Sequence, residues 1–149
     1  MDRKAYDNEY LHKDFHGGLC YGIKYIEDNY GQEGLKEYLK QVGKAVYQPL
    51  SKALKEHGLA ALEKHWQAVF GKEGGKFSLG YEGDKLVLRV EECPAVSHLK
   101  KTGQFFTERF CETTAVVNET ICEQAGYDCS CKYELGEGRC VQKFWKSKR

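Results

Sequence analysis

The chain lacks several features that mark whole classes of proteins. It carries 23 lysines and arginines against 22 acidic residues, a net charge of +1, whereas nucleic-acid-binding and membrane-surface proteins carry a clustered basic excess. Its apolar runs are a few residues long, far below the roughly 20 that span a bilayer. With 149 residues and 2 prolines it also has no low-complexity linker. We therefore expect one domain over residues 1–149, no nucleic-acid partner and no membrane partner.

The segment 1–15 contains no apolar stretch of the kind that forms a secretory signal. We therefore expect a cytoplasmic protein, in which its 7 cysteines are free thiols because disulfides are rare in a reducing compartment. Most of these thiols would act as small buried apolar side chains. The chain is 41% hydrophobic and 13% aromatic, which is enough for a packed core and argues against disorder.

The hydrophobic pattern changes its period halfway along the chain. Apolar residues recur at helical spacing in the first half and alternate in two later pairs of segments, with a short and a long helix between them. This order predicts an α+β fold, with an antiparallel sheet of about four strands and helices packed on one face. The helices are expected over 14–30, 35–46, 50–57, 59–70, 94–99 and 105–124, and the strands over 77–81, 86–90, 127–133 and 139–145.

The predicted helix 105–124 places a polar stripe on one face. Cys111, Asn118 and Cys122 lie seven and four residues apart and share that face, and Glu112 lies on a neighbouring stripe. A buried amide needs hydrogen-bond partners and often marks a cavity, so this stripe is a candidate lining of a substrate pocket. The alternative is that both cysteines fill the core and that Glu112 is solvated.

Cys93-Pro94 lies at a predicted junction between a strand and a helix. A thiol beside a helix N-terminus meets backbone N–H groups and the positive end of the helix dipole, which lower its pKa. His98 follows five residues later, so the two side chains form a candidate nucleophile and base. The alternative is a buried cysteine at the end of a strand and a histidine at the surface.

Two other groups of residues resemble metal ligands. His12, His16 and Cys20 are spaced four apart along a helix, but no fourth ligand lies near them in the sequence, so a hydrogen-bonding or substrate-contacting role for His16 is preferred. Cys129 and Cys131 are separated by one residue on a strand, a spacing that suits core packing better than zinc. We expect no metal and no cofactor.

The order of these motifs resembles that of one family. A helical first half is followed by VEECPAVSHLKKTG, then by FCETTAVVNETICEQAG, and then by a hairpin that ends in GEGRCVQKF. The chain resembles the L-2-amino-thiazoline-4-carboxylic acid hydrolase-like family and, more distantly, the small-ligand-binding domains of the 4-vinyl reductase type. Cys93, Cys111 and Cys140 match cysteines of the family pattern. The chain departs from that pattern at Glu112-Thr113-Thr114, where an aspartate is expected.

The resemblance implies hydrolytic opening of a small cyclic amidine-like C–N bond. Such a reaction needs an attacking group, an acid for the departing nitrogen and donors for the charged intermediate. These roles are expected of Cys93 as nucleophile or pocket thiol, His98 as proton carrier and Glu112 as acid or base. Asn118 would orient the substrate, and Cys111, Cys122 and His16 would contact it.

Two alternatives to a hydrolase stay open. The distant resemblance implies a sensor or carrier domain that binds a small apolar or aromatic ligand without catalysis, and the aromatic content supports it. A protein that binds a metal or a cluster through its cysteines is the other alternative. The hydrolase and both alternatives would have a small molecule or an ion as their partner, and all three are compatible with a homodimer.

Overall fold

The computed structural model describes the backbone of residues 9–149 and the side chains of residues 13–149. Over this range the chain is α+β, with a helical first half and an antiparallel four-stranded sheet, as predicted. The elements are α1 (Glu9–Ala45), α2 (Gln48–His57), α3 (Leu59–Glu73), β1 (Lys76–Glu82), β2 (Lys85–Glu92), α4 (Pro94–Lys101), α5 (Phe110–Ala125), β3 (Tyr127–Glu134) and β4 (Arg139–Lys146).

Most of the predicted boundaries lie within a few residues of the observed ones. Gly31, where the first helix was expected to end, has a φ of 72° that breaks α1 into two helical segments. The predicted helix 105–124 is wrong at its start, because α5 begins at Phe110. The Thr107 carbonyl accepts a hydrogen bond from Phe110 N at 3.1 Å, and its hydroxyl accepts one from Arg109 N at 3.2 Å. These bonds hold a turn before the helix.

The sheet has the strand order β1-β2-β4-β3, so the two hairpins join through β2 and β4. Leu88 of β2 pairs with Gln142 of β4, and Gln142 pairs in turn with Cys131 of β3. Since side chains alternate along a strand, these residues share the face on which the helices pack. The opposite face carries charged side chains, among them the ion pair between Arg89 and Glu82.

The largest core cluster lies between this inner face and the helices. Phe144 of β4 packs there with buried side chains of α2, α3, β2 and α5, so the cluster joins both halves of the chain. The apolar stripe predicted for 14–30 is partly wrong. Phe15 and Tyr30 are each 68% exposed, whereas Cys20 and Ile23 are buried, because α1 turns that side toward α4 and α5. None of the helices in the described range is long and apolar enough to cross a membrane.

Candidate functional site

Cys93 occupies the residue just before α4, and Pro94 begins the helix. The N–H of Cys93 donates a hydrogen bond to the carbonyl of Gly138 at 2.8 Å, which ties the β3–β4 turn to the start of α4. The expected lowering of its pKa is wrong in its net direction. Burial raises the pKa of the Cys93 thiol, and the backbone N–H groups of Val96 and Ala95 lower it by less. The thiol is therefore held mainly in its neutral form.

Two further thiols lie beside Cys93, and together the three form what we call the thiol cluster. Cys111 comes from the first turn of α5, and both Cys93 and Cys111 pack against the same buried apolar cluster. Cys140 comes from β4. Burial, together with negative charge on Cys93 and Cys140, raises the pKa of Cys111 to about 11. The structure therefore brings together the three cysteines on which the family resemblance depends.

The remaining strand cysteines extend this row of thiols beneath α5. Burial and the charges of Cys140 and Cys111 raise the pKa of Cys131 to about 12. Beyond it, the thiols of Cys122 and Cys129 are hydrogen-bonded to each other, which raises the pKa of Cys122. Cys129 and Cys131 both lie on the inner face of β3, opposite Phe144 and Gln142 of β4. All seven cysteines are free thiols.

A buried pair of amides lies next to the thiol cluster. Asn118, which is 2% exposed, donates through Nδ2 to Gln142 Oε1 at 2.7 Å. Gln142 in turn donates to Cys140 Sγ at 3.4 Å. The predicted need of Asn118 for a partner is therefore confirmed, and that partner is a side chain. Gln142 was missed by the sequence analysis, although a glutamine between Cys140 and Phe144 on the inner face of a predicted strand was a usable signal.

A surface groove with a volume of about 240 Å³ runs along the outer side of α4, and we call it the α4 groove. It contains basic and acidic side chains together, so a ligand with both a cationic and an anionic group would meet complementary charge. Within the described part of the chain, no cysteine lines it. Its lining is Lys13, Glu73, Gly74, Glu92, Pro94, Ser97, His98 and Lys101.

Both predicted histidines lie at or near this groove. The Nε2 atom of His98 is 3.1 Å from Asp14 Oδ1, so a carboxylate orients the ring. The Nε2 atom of His16 is 3.4 Å from Glu73 Oε2. Negative charge on Glu73 also contributes to the raised pKa of Cys93. Glu73 therefore lines the α4 groove and also acts electrostatically on a thiol of the cluster.

Glu112 lies on a different side of the thiol cluster from His98. Its Oε2 is 3.5 Å from Arg109 Nη1, and Arg109 Nε is 3.1 Å from Glu27 Oε2, so Glu112 belongs to an ion-paired group between α1 and α5. Burial raises the pKa of Tyr133, and negative charges on Cys111 and Glu112 add to the rise. The structure therefore places Glu112 and Tyr133 at the α5 edge of the thiol cluster, outside the α4 groove.

The remaining sequence-predicted ligands do not come together. Cys20 is fully buried, and burial raises its pKa, while the side chain of His12 lies outside the described residues. Among the side chains of residues 13–149, no group of three or more His, Cys, Asp or Glu residues is arranged to hold a metal ion.

The structure is that of an α+β protein with a candidate small-molecule site at the start of α4. The thiol cluster and the α4 groove make up this site. No protein-family model matches the chain, and no curated protein matches it. The resemblance to the hydrolase-like family therefore stays a prediction. Chemically, the arrangement offers neutral thiols, an oriented imidazole and charges of both signs.

Proposed function

We propose that this protein is a hydrolase of a small cyclic amidine-type C–N bond, similar to the L-2-amino-thiazoline-4-carboxylic acid hydrolase-like family. One observation supports this proposal most directly. Cys93 immediately precedes α4, and the α4 groove on the outer side of that helix presents His98 together with charges of both signs, although Cys93 does not itself line the groove. A substrate of this class carries a carboxylate and a basic amidine, which complement such a groove.

The charges of the groove suggest how that substrate would lie. Lys13 and Lys101 would attract the carboxylate, and Glu73 and Glu92 would attract the protonated amidine. Water would bond to the amidine carbon and give a proton to His98, the bond from that carbon to one nitrogen would break, and His98 would pass the proton to that nitrogen. If the Cys93 sulfur bonded to the carbon first, its thiol proton would go to His98 and on to the departing nitrogen as the same C–N bond broke, and water would then break the C–S bond and return the thiol. The Asp14 carboxylate would hold the His98 ring in position.

The experiment measures turnover of L-2-amino-thiazoline-4-carboxylate by the purified full chain. Cys93→Ala is expected to abolish turnover, and His98→Asn is expected to reduce it by roughly 10²–10⁴-fold, the usual contribution of a general acid. Cys129→Ala and His57→Asn are the matched controls, because both lie outside the α4 groove and the thiol cluster. Full turnover by Cys93→Ala would remove the nucleophile from the proposal, and no turnover by the unsubstituted chain would refute it.

A second candidate is a carrier or sensor domain that binds a small apolar ligand without catalysis. The observation that favours it is the raised pKa of Cys93, Cys111 and Cys140, because neutral thiols are poor nucleophiles. Native mass spectrometry of freshly purified protein separates the candidates. A retained apolar molecule supports the carrier, whereas a ligand-free protein that turns over the thiazoline supports the hydrolase.

A further inference from the structure

The turn that joins α5 to β3 brings Cys122 and Cys129 together. Gly126 ends α5 in a left-handed conformation with a φ of 80°, and its N–H donates to the carbonyls of Cys122 and Glu123. The chain then enters β3, where Cys129 lies opposite Phe144 on the inner face of the sheet. Because α5 packs on β3, the strand returns beside the end of the helix that it has just left.

The two cysteine side chains lie in the largest core cluster. Cys122 is 1% exposed, and the half-buried Cys129 packs against the cluster to which it belongs. Their thiols are hydrogen-bonded to each other, and because this bond raises the pKa of Cys122, the Cys122 thiol is the donor and the Cys129 sulfur is the acceptor. Thiols in hydrogen-bond contact need only a small movement of their side chains to reach the roughly 2.0 Å of an S–S bond.

We propose that Cys122 and Cys129 form a site of reversible oxidation, at which hydrogen peroxide converts the two thiols into a disulfide that links the end of α5 to β3. Only residues 123–128 separate the two cysteines in the sequence, and the folded chain already closes this short loop. The proposal does not depend on the proposed hydrolase, because neither cysteine lines the α4 groove or belongs to the thiol cluster.

The reaction balances with one peroxide for each disulfide. Cys129 meets the oxidant first, because its side chain is half-buried whereas Cys122 is closed off from solvent. The Cys129 thiolate attacks one peroxide oxygen, so an S–O bond forms, the O–O bond breaks and the departing hydroxide takes a proton to become water. The Cys122 sulfur then bonds to the sulfur of this sulfenic acid, the S–O bond breaks, and the hydroxyl leaves as a second water with the Cys122 proton. Two thiols lose two electrons, and the peroxide gains them.

Cys131 is the nearest competitor of Cys129 along the strand. Both lie on the inner face of β3, but Cys131 is opposite Gln142, whereas Cys129 is opposite Phe144. Successive residues on one face of a strand are about 7 Å apart, so Cys131 lies one such step farther from the turn that leads back to Cys122. The link is therefore expected to choose Cys129, and Cys131 provides a matched control.

The test treats the reduced full chain with hydrogen peroxide, blocks the remaining thiols with N-ethylmaleimide in denaturant, and cuts the chain after glutamate, lysine and arginine. These cuts place Cys122 in peptide 120–123 and Cys129 in peptide 124–132. The expected product carries two fewer maleimide groups, contains these two peptides joined through Cys129, and recovers both groups after reduction. Fragmentation of the joined peptides distinguishes Cys129 from Cys131. A dominant link between any other two cysteines, or oxidation of Cys129 that leaves Cys122 free to react with maleimide, would overturn the proposal.

Two variants test the choice of partner. Cys131→Ser is expected to keep the link, and Cys129→Ser is expected to leave Cys122 fully labelled by maleimide after the same treatment. Equal loss of the Cys122 label in Cys129→Ser and in the unsubstituted chain would contradict the proposal. If Cys129→Ser does not fold, the peptide maps of the unsubstituted chain and of Cys131→Ser still decide the outcome. Because the link is observed by mass, its formation or failure is independent of whether the chain turns over the thiazoline.

Discussion

At the scale of single residues, burial has the largest effect on the chemistry of the site. It raises the pKa of Cys93 although two N–H groups at the start of α4 favour the thiolate. The sequence places Cys93 beside those N–H groups, but how deeply a thiol is buried depends on residues far away in the chain. For this reason the position of Cys93 could be predicted and its protonation could not.

Substitution of Asn118 tests how much the buried amide pair stabilises the protein. Asn118→Ala would leave Gln142 Oε1 buried without its 2.7 Å donor, and an unsatisfied buried polar group costs about 1–3 kcal/mol. We expect the free energy of unfolding in urea to fall by this amount. The matched control is Asn29→Ala, because Asn29 is an exposed helical asparagine and its loss should change stability by no more than about 0.5 kcal/mol. Equal effects of the two substitutions would contradict the prediction.

The raised pKa values of Cys111 and Cys131 predict that the folded chain loses stability at high pH. Their pKa values are raised to about 11 and about 12 in the folded chain, above the ordinary value of 9.0. Between these values the unfolded chain has released protons that the folded chain still holds, so the free energy of unfolding falls as the pH rises above 9. Below pH 9 both states hold the protons, and the contribution is fully present.

The measurement compares urea unfolding at pH 8 and pH 10 with a reductant present. Tyrosines and lysines also titrate in this range, so the informative quantity is the difference between the unsubstituted chain and Cys111→Ala. The variant should lose less stability between the two pH values. An identical loss in both proteins would show that the burial of Cys111 does not affect its ionisation.

At the scale of elements, α1 packs tightly on α5 at Gly43. A Cβ atom at Gly43 would lie 2.7 Å from Thr120 Cβ, whereas a Cβ atom at Gly22, on the same helix, would meet nothing within 4 Å. The helical period predicts α1, but it does not show which of its glycines lies in a contact. That distinction comes from the packing of α5 on α1.

Substitution by alanine is expected to have opposite effects on stability at Gly22 and at Gly43. Gly22→Ala should stabilise the protein by up to about 1 kcal/mol, since alanine favours a helix more than glycine does. Gly43→Ala should destabilise it by about 1–3 kcal/mol, because the added methyl group overpacks the contact with Thr120. Thermal and urea unfolding of both variants provide the check. Stabilisation by Gly43→Ala would mean that α1 and α5 separate easily.

At the scale of the whole molecule, one core cluster includes side chains from α2, α3, β2, α5 and β4. Helices from the first half and strands from the second half therefore bury their apolar faces against each other. This packing gives the physical reason to expect that the single domain predicted from the sequence unfolds in one step.

The two tryptophans allow that expectation to be tested. Trp66 of α3 stacks on Phe144 with ring centroids 6.5 Å apart, and Trp145 of β4 lies on the other sheet face, 4.4 Å from Lys85 Nζ. Single-tryptophan variants Trp145→Phe and Trp66→Phe should each show fluorescence and far-ultraviolet circular dichroism curves with the same midpoint in denaturant. If the fluorescence midpoint for Trp66 differed from the circular dichroism midpoint, the helices and the sheet would unfold separately, which would contradict this expectation.

The kinds of element, their order and the faces of the strands could be predicted from the sequence, because hydrophobic periodicity and glycine positions act over a few residues. The sequence also placed Cys111, Asn118 and Cys122 on one face of α5, which the contacts of Asn118 and Cys122 with β4 and β3 confirm. Two relations could not be predicted: Cys93, Cys111 and Cys140 lie close enough to influence one another's charge, and Glu112 lies apart from His98. Those relations depend on how α4, α5 and the second hairpin pack together, and side chains from distant segments become neighbours only through that packing.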